Sequence, residues 1–252
     1  MSVSRGGALV TGGAKRIGRG LALAAVDAGY AVVVHHRDSH DEARATVDFI
    51  RSAGGRATTI EGDLSDEAVL LGLVADAAYA LEPLTLLVNN ASVFDDDRAE
   101  TLTQASWDAH MTVNLRAPVA LSQAFAAQLP EGAQGLIINI LDQRVWKPTP
   151  QFFSYSLSKS ALWAATRTLA QAFAPRIRVN GIGPGPTLPN AYQAETDFDA
   201  EAAGVLLQRR VDPQEIAAAL RYLIDAPSVT GQMIAVDGGQ HLGWLTPDVM
   251  LP

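Results

Sequence analysis

The chain of 252 residues contains no cysteine. Disulfides and thiolate metal sites are therefore excluded. A surplus of basic charge is also missing: 27 acidic residues outnumber 19 basic ones, giving a formal net charge of -8 and a pI of about 5.0. No nucleic-acid partner is expected, because phosphate binding draws on a concentrated basic surface. The acidic balance reads as solubility. No apolar run reaches the length of a membrane span, so no membrane partner is expected either. The start, MSVSRGGALVTGG, holds one basic residue and passes straight into a strand-like run, unlike a secretory signal. These absences predict a soluble, cytoplasmic protein. Linkers and low-complexity segments are lacking too, which predicts one domain over 1–252. What is present is an ordinary globular balance, 48% apolar and 18% charged, with enough apolar material for a sizeable core.

Short apolar runs alternate with segments of helical period. The strand candidates are Ala8–Thr11, Ala31–His35, Thr58–Glu61, Leu84–Asn89, Leu136–Ile140, Arg178–Ile182 and Met233–Val236. Runs such as VVV and LIINI suit strands buried on both faces. Helices are predicted near 17–28, 40–53, 66–81, 105–128, 155–173 and 212–225. Asp66 and Asp212 stand where helix N-caps belong, and Pro213 suits a first helical position. Repeated strand–helix–strand units imply an α/β fold of the Rossmann type, a doubly wound parallel sheet of about seven strands with helices on both faces. The stretch 184–210, PGPTLPNAYQAETDFDAEAAGVLLQRR, breaks that rhythm. It reads as a loop with one or two short helices, the kind of insertion that often serves as a lid.

The first strand runs into TGGAKRIGRGLA, residues 11–22. Gly12, Gly13 and Gly18 lie between a buried strand and a helix, where glycine lets the backbone approach a pyrophosphate at the helix N-terminus. Many tight turns use glycine; the place of this one between first strand and first helix favours a dinucleotide. The second strand ends in HHRDS rather than in the acid that would hold the 2′-hydroxyl of NAD. Arg16, Arg37 and Ser39, with His36 beside them, are read as a cup for a 2′-phosphate. NADPH is therefore the expected cofactor, with Asp38 a mild counterargument and a solvated basic surface the alternative. Asp63 in GDL is placed to accept from an adenine amino group, or else begins the next helix turn. In NNAS, Asn89 suits a tie between strands, and Ala91 is small enough for a cofactor to pass.

Tyr155 and Lys159 lie four apart in a helical segment, so they share a face. A nearby ammonium lowers a phenol's pKa and makes it a practical proton donor. At this point the chain resembles the short-chain dehydrogenase/reductase family along nearly its whole length. The matching pieces are TGGAKRIG, GDL, NNAS, Asn114 in TVNLRAP, Tyr155-x-x-x-Lys159, RVNGIGPG and VDGG. Thirteen residues before the tyrosine that family usually has serine; here stands Asp142. Arg16, where the family's usual spacing has glycine, the HHR strand end, Ser92 and Phe94 in NNASVF, Asp142 and GPGP resemble the pteridine reductases and related dihydromonapterin and dihydrofolate reductases.

That resemblance implies a pterin held between Phe94 and the nicotinamide, and hydrogen-bonded by Ser92. It implies that Asp142 assists protonation of a ring nitrogen and that Asn114 holds a water on the proton path. Tyr155, Lys159, Asp142 and Asn114 are thus the expected catalytic residues. Cofactor contacts are expected at Gly12, Arg16, Ile17 and Gly18; at His36, Arg37 and Ser39; at Asp63 and Leu64; and at Asn90, Ala91 and Ser92. Tyr155, Lys159, Pro184, Gly185 and Thr187 complete that set, while Pro186 joins Ser92, Phe94, Asp142 and Tyr155 on the substrate side. The tail 240–252 is expected at a subunit interface of a homotetramer, with Trp244 near the position that reaches a neighbour's site.

The carboxylate suits reduction of a C=N bond, which needs hydride at carbon and a proton at nitrogen. An ordinary aspartate is almost wholly ionised at neutral pH. Asp142 must therefore be desolvated, relay a proton from water, or merely orient Tyr155; the relay is preferred. The alternatives are a reductase of carbonyl compounds or other cyclic imines, and a non-catalytic dinucleotide sensor, which would have no need of Asn114, Tyr155 and Lys159 together. Asp95, Asp96 and Asp97 read as a solvated loop, since no second ligand cluster suggests a metal. Trp146, Phe152 and Phe153 suit pocket or core alike. His110 is assigned no role.

Overall fold

The computed structural model describes residues 4–190 and 193–244. Seven strands form one sheet: β1 (Gly7–Val10), β2 (Ala31–His36), β3 (Ala57–Glu61), β4 (Leu84–Asn89), β5 (Gly135–Ile140), β6 (Ile177–Pro184) and β7 (Met233–Val236). Their order is β3-β2-β1-β4-β5-β6-β7, and every pairing is parallel. Among the described residues eight α-helices accompany them: α1 (Arg16–Asp27), α2 (His40–Ser52), α3 (Glu67–Ala80), α4 (Gln104–Met111), α5 (Ala117–Gln128), α6 (Phe153–Phe173), α7 (Glu195–Ala203) and α8 (Pro213–Asp225). The expected strands are all present, β4 and β7 with the expected ends and the others with one or both ends moved by one or two residues.

Both faces of the sheet are covered, which is why inner strands such as β1, β2 and β5 are apolar without alternation, while the edge strand β3 alternates. Along β1, Ala8 and Val10 pack toward α1, α2 and α8, with Leu21, Val47, Ile50 and Leu220. Leu9 points the other way, toward Leu70 and Leu73 of α3 and Leu121 and Phe125 of α5. Each fully buried leucine of this kind contributes roughly 1.5–3 kcal/mol. The caps fall where the sequence put them. Asp66 accepts from the Ala68 amide, and Asp212 forms a reciprocal capping box with Glu215.

Two expectations are refined. The single helix predicted over 105–128 is α4 and α5 joined by a π-helical turn, Thr112–Arg116, which carries the buried Asn114. Such wide turns often mark functional positions. Within 184–210, β6 extends through Pro184 and the segment then forms α7. Strand order reverses direction between β1 and β4, and a crevice opens there at the carboxyl ends of the strands.

Candidate active site

The nucleotide side of the crevice is built from turns tied to one another. Gly12 has φ +60, and a Cβ there would sit 3.1 Å from both Ala91 Cα and Asn90 Nδ2. At Gly18 an added Cβ would run into the Gly12 carbonyl oxygen. Asn90 donates from Nδ2 to the carbonyls of Thr11 (2.9 Å) and Gly12 (3.1 Å), and the Ala91 amide donates to Thr11 Oγ1. His35 bridges two turns: its Nδ1 accepts from the Gly12 amide at 3.2 Å, and its Nε2 donates to the Gly62 carbonyl at 3.0 Å. Burial holds this imidazole neutral by lowering its pKa to about 4. Neither a side-chain cap nor an acidic residue shields the N-terminus of α1. Its free amides and positive dipole end suit a pyrophosphate, so the turn fits the dinucleotide its glycines predict.

The expected phosphate cup is not assembled as one cluster. Arg16 stands in the left-handed region, φ 53, where the family's usual spacing has glycine. Its guanidinium donates to the Leu188 (3.3 Å) and Pro189 (2.9 Å) carbonyls, tying the first turn to the loop after β6. Arg37 donates from Nε to Asp38 at 2.6 Å. His36 faces away, on the α2 side, and lines a separate groove with His40, Arg44 and Glu61. The cause is strand alternation: His35 points at the turns, so its neighbour must point oppositely. Ser39 is the N-cap of α2 without a side-chain cap bond. Asp63 Oδ1 accepts from the amide and hydroxyl of Ser65, which hold its carboxyl below the usual range.

The chemical side surrounds a cavity of about 630 Å³. Its lining includes Arg16, Ile17, Asn90, Ser92, Phe94, Asp142, Tyr155, Lys159, Pro184, Gly185, Pro186 and Thr187. Part of each half of the expected site thus lines one cavity, while Gly12, Gly18, His36, Arg37, Ser39, Asp63, Leu64, Ala91 and Asn114 lie outside its lining. Phe152 lines it too; Trp146 instead packs its ring 5.0 Å from that of His241. Trp244 lies on the surface, 58% exposed, and the expected tail beyond it falls outside the described residues.

Tyr155 donates from its hydroxyl to Asp142 Oδ2 at 2.9 Å. Asp142 Oδ1 accepts from the Arg144 amide at 2.8 Å, and Arg144 Nη1 stands 3.5 Å from Oδ2. Lys159 donates to the Ile140 carbonyl at 2.8 Å, with its Nζ 5.7 Å from the centre of the tyrosine ring. This corrects the expectation that Lys159 lowers the tyrosine pKa. Desolvation first, and Asp142 second, push the phenol well above its usual value; the cation that opposes them is Arg144. Burial also lowers the Lys159 ammonium to about 8. The phenol thus keeps its proton and donates it in a hydrogen bond to Asp142 Oδ2.

The side chain of Asn114 is buried among polar partners. Its Oδ1 accepts from the Val93 amide (2.8 Å) and Ser92 Oγ (3.1 Å), while Nδ2 donates to the Val93 carbonyl (2.9 Å) and Ser158 Oγ (3.2 Å). These bonds tie the Asn114 side chain to the 92–94 loop, with the Ser92 hydroxyl shared between Asn114 Oδ1 and the Val93 carbonyl (3.2 Å). Ser92 and Phe94 are thereby fixed on the cavity wall. Phe94 stacks on Phe152, with centroids 4.2 Å apart and planes 10° from parallel, and meets Tyr155 edge-on at 4.6 Å.

Sequence reasoning missed Arg144, whose guanidinium lies over both Phe94 (5.8 Å) and Phe152 (5.2 Å). Its one available signal was its place two residues after Asp142. Asp97 and His110, read as solvated and without role, are both buried.

Comparison with known proteins agrees with this geometry. A family model described as enoyl-(acyl carrier protein) reductase matches residues 12–241. An uncharacterized oxidoreductase of Methylorubrum extorquens is 35% identical, over 92% of this chain and 96% of its own. A short-chain type dehydrogenase/reductase of Picea abies is 31% identical, over 92% and 91%. Among solved structures, FolM alternative dihydrofolate reductase 1 from Brucella suis, in complex with NADP, superposes with a TM-score of 0.93 at 50% identity, covering 96% of this chain and 98% of that one. A blue fluorescent protein from a metagenomic library, in complex with NADPH, gives 0.87 at 31%, over 95% and 98%. With the parallel sheet, the glycine turn and the Tyr155–Lys159 pair in place, the chain belongs to the short-chain dehydrogenase/reductase family and is an NADP-dependent oxidoreductase.

Proposed function

We propose that this enzyme reduces a C=N bond of a pterin or folate, taking a dihydropterin to a tetrahydropterin. The observation that carries the reading is the 2.9 Å hydrogen bond from Tyr155 to Asp142, at the position where serine is usual, on a cavity walled by Phe94. The 50% identity to alternative dihydrofolate reductases supports it. NADPH, when bound, supplies the hydride for the ring carbon. The chain's own task is the proton. Phe94 offers a flat face for the heterocycle, and Ser92 a hydroxyl for its edge. Tyr155 passes a proton to the ring nitrogen, and Asp142, which accepts from the phenol, relays the replacement from water. Serine could orient a phenol toward a ketone oxygen, but it lacks the basicity for that relay. Lys159 and Pro184–Thr187 are assigned to the nicotinamide half, and Arg37 and Ser39 to the 2′-phosphate. Trp244 is assigned to the neighbouring subunit's pocket in a homotetramer, which sedimentation can check.

The test is NADPH oxidation followed by absorbance with 7,8-dihydrobiopterin, dihydromonapterin and dihydrofolate, in wild type and Asp142→Ala. Turnover is expected with at least one, and Asp142→Ala should lower kcat on the order of a hundredfold while NADPH still binds. Full activity in Asp142→Ala would sink the relay. A wild type inert on all three but fast on ketones would move the assignment to carbonyl reduction.

A further inference from the structure

Behind the aromatic wall lies a buried polar chain that the proton path does not use. His110, on α4, is fully buried. Its Nε2 accepts from the Asp95 amide at 3.2 Å, so that nitrogen is bare. The ring proton is then on Nδ1, which donates to Ser154 Oγ at 2.7 Å. Ser154 in turn donates its hydroxyl proton to Asp97 Oδ2, and its amide donates to Asp97 Oδ1 at 2.9 Å. Ser106 joins both ends of the chain, its backbone interacting with the His110 ring and its side chain with Asp97.

Its ends are attached to the slot. Ser154 directly precedes Tyr155, and Asp95 directly follows Phe94. Phe152 caps α6 in the left-handed region, φ 52, a strained state for a large aromatic. Such strain persists only where neighbours over-determine it, and it gathers at ligand clamps. Here the neighbours are the same acidic run: the Phe152 amide donates to Asp96 Oδ1 (3.2 Å), and the Phe153 amide to the Asp97 carbonyl (3.1 Å).

We propose that Asp97, Ser154 and His110 form a positioning relay that holds Phe94, Phe152 and Tyr155 as one preformed wall for a flat heteroaromatic substrate. None of the three is assigned to the reacting atoms. The relay deepens the pterin reading and rests on it for the identity of the ligand alone. His110→Phe keeps a buried ring and removes both bonds; His110→Asn restores a donor to Ser154; Ser154→Ala cuts the chain at its middle should His110→Phe not fold. With 7,8-dihydrobiopterin, His110→Phe is expected to raise KM on the order of tenfold, equivalent to one buried hydrogen bond, with a smaller change in kcat and unchanged NADPH affinity. His110→Asn should recover part of the KM. Amide exchange at Asp95 and Phe152–Ser154 should accelerate in His110→Phe. A variant that loses thermal stability but keeps the wild-type KM would make the relay merely structural and overturn the proposal. If wild type turns over no dihydropterin, the substrate reading fails and exchange alone decides. Wild-type protection at Phe152–Ser154 would then overturn the relay.

Discussion

The two ends of the crevice are held together by different means. At the nucleotide end, side chains bind backbone: Asn90 to the Thr11 and Gly12 carbonyls, His35 to Gly12 and Gly62, Thr11 to the Asn90 and Ala91 amides. The chemical end has such ties too, Asn114 to Val93 and Lys159 to Ile140, and adds bonds between side chains far apart in sequence: Tyr155 to Asp142, Asn114 to Ser158, and His110 to Ser154 and through it to Asp97. The first kind of tie fixes a shape that many side chains elsewhere would tolerate. The second fixes particular atoms relative to one another, as proton transfer requires. The nucleotide end should therefore fail through binding, and the chemical end through turnover.

The largest expected effect breaks the chemical end alone. Tyr155→Phe removes one oxygen and leaves the ring that meets Phe94. Turnover should fall by about 10²–10⁴, while NADPH affinity, read by fluorescence titration, stays within about twofold of wild type. An equal loss in both quantities would mean that the two ends are not separable.

Acid should break the nucleotide end next. His35 needs a bare Nδ1 to accept from Gly12, and burial keeps its pKa near 4 against the usual 6.5. Above pH 6.5 neither the folded nor the unfolded chain protonates it. As pH falls from 6.5 toward 4, the unfolded chain gains a proton that the folded one refuses. Stability should therefore fall across that window, by up to about 3 kcal/mol, and level off below it. Urea unfolding at pH 7 and pH 4.5 reads the loss. In His35→Gln this part of the pH dependence should vanish, whatever that variant's stability at pH 7.

The same contrast explains what the sequence made legible. The glycine turn was readable because a positive φ at Gly12 and a close approach at Gly18 each demand glycine locally. Caps at Asp66 and Asp212, and all seven strands, were readable for the same reason: each is dictated by neighbours within a few residues. Asp142 was readable only as a departure from a familiar pattern. Asp97 and His110 were not readable at all. An acidic residue in DDD and a histidine in a helix look solvated until the fold brings Ser154, 57 residues from Asp97 and 44 from His110, between them. Lys159 shows the opposite failure. It lies near the Tyr155 ring, yet burial and then Asp142 raise the phenol, and the cation that opposes them is Arg144.

The smallest expected effect sharpens the comparison at the 2′-phosphate. Arg37 and Asp38 pair at 2.6 Å, and both are largely exposed. An exposed pair is weak, worth a few-fold at most in an equilibrium. It nonetheless competes with any anion for the same guanidinium. If Arg37 receives the 2′-phosphate, Asp38→Asn should bind NADPH about two- to fivefold more tightly by releasing it. Arg37→Ala should weaken NADPH on the order of tenfold and leave NADH unchanged. Parallel titration of both cofactors in both variants reads this. An Asp38→Asn that gains equally for NADH and NADPH would place the gain in general repulsion of anions. The 2′-phosphate would then have to be met by Ser39 or by Arg16 released from Leu188 and Pro189.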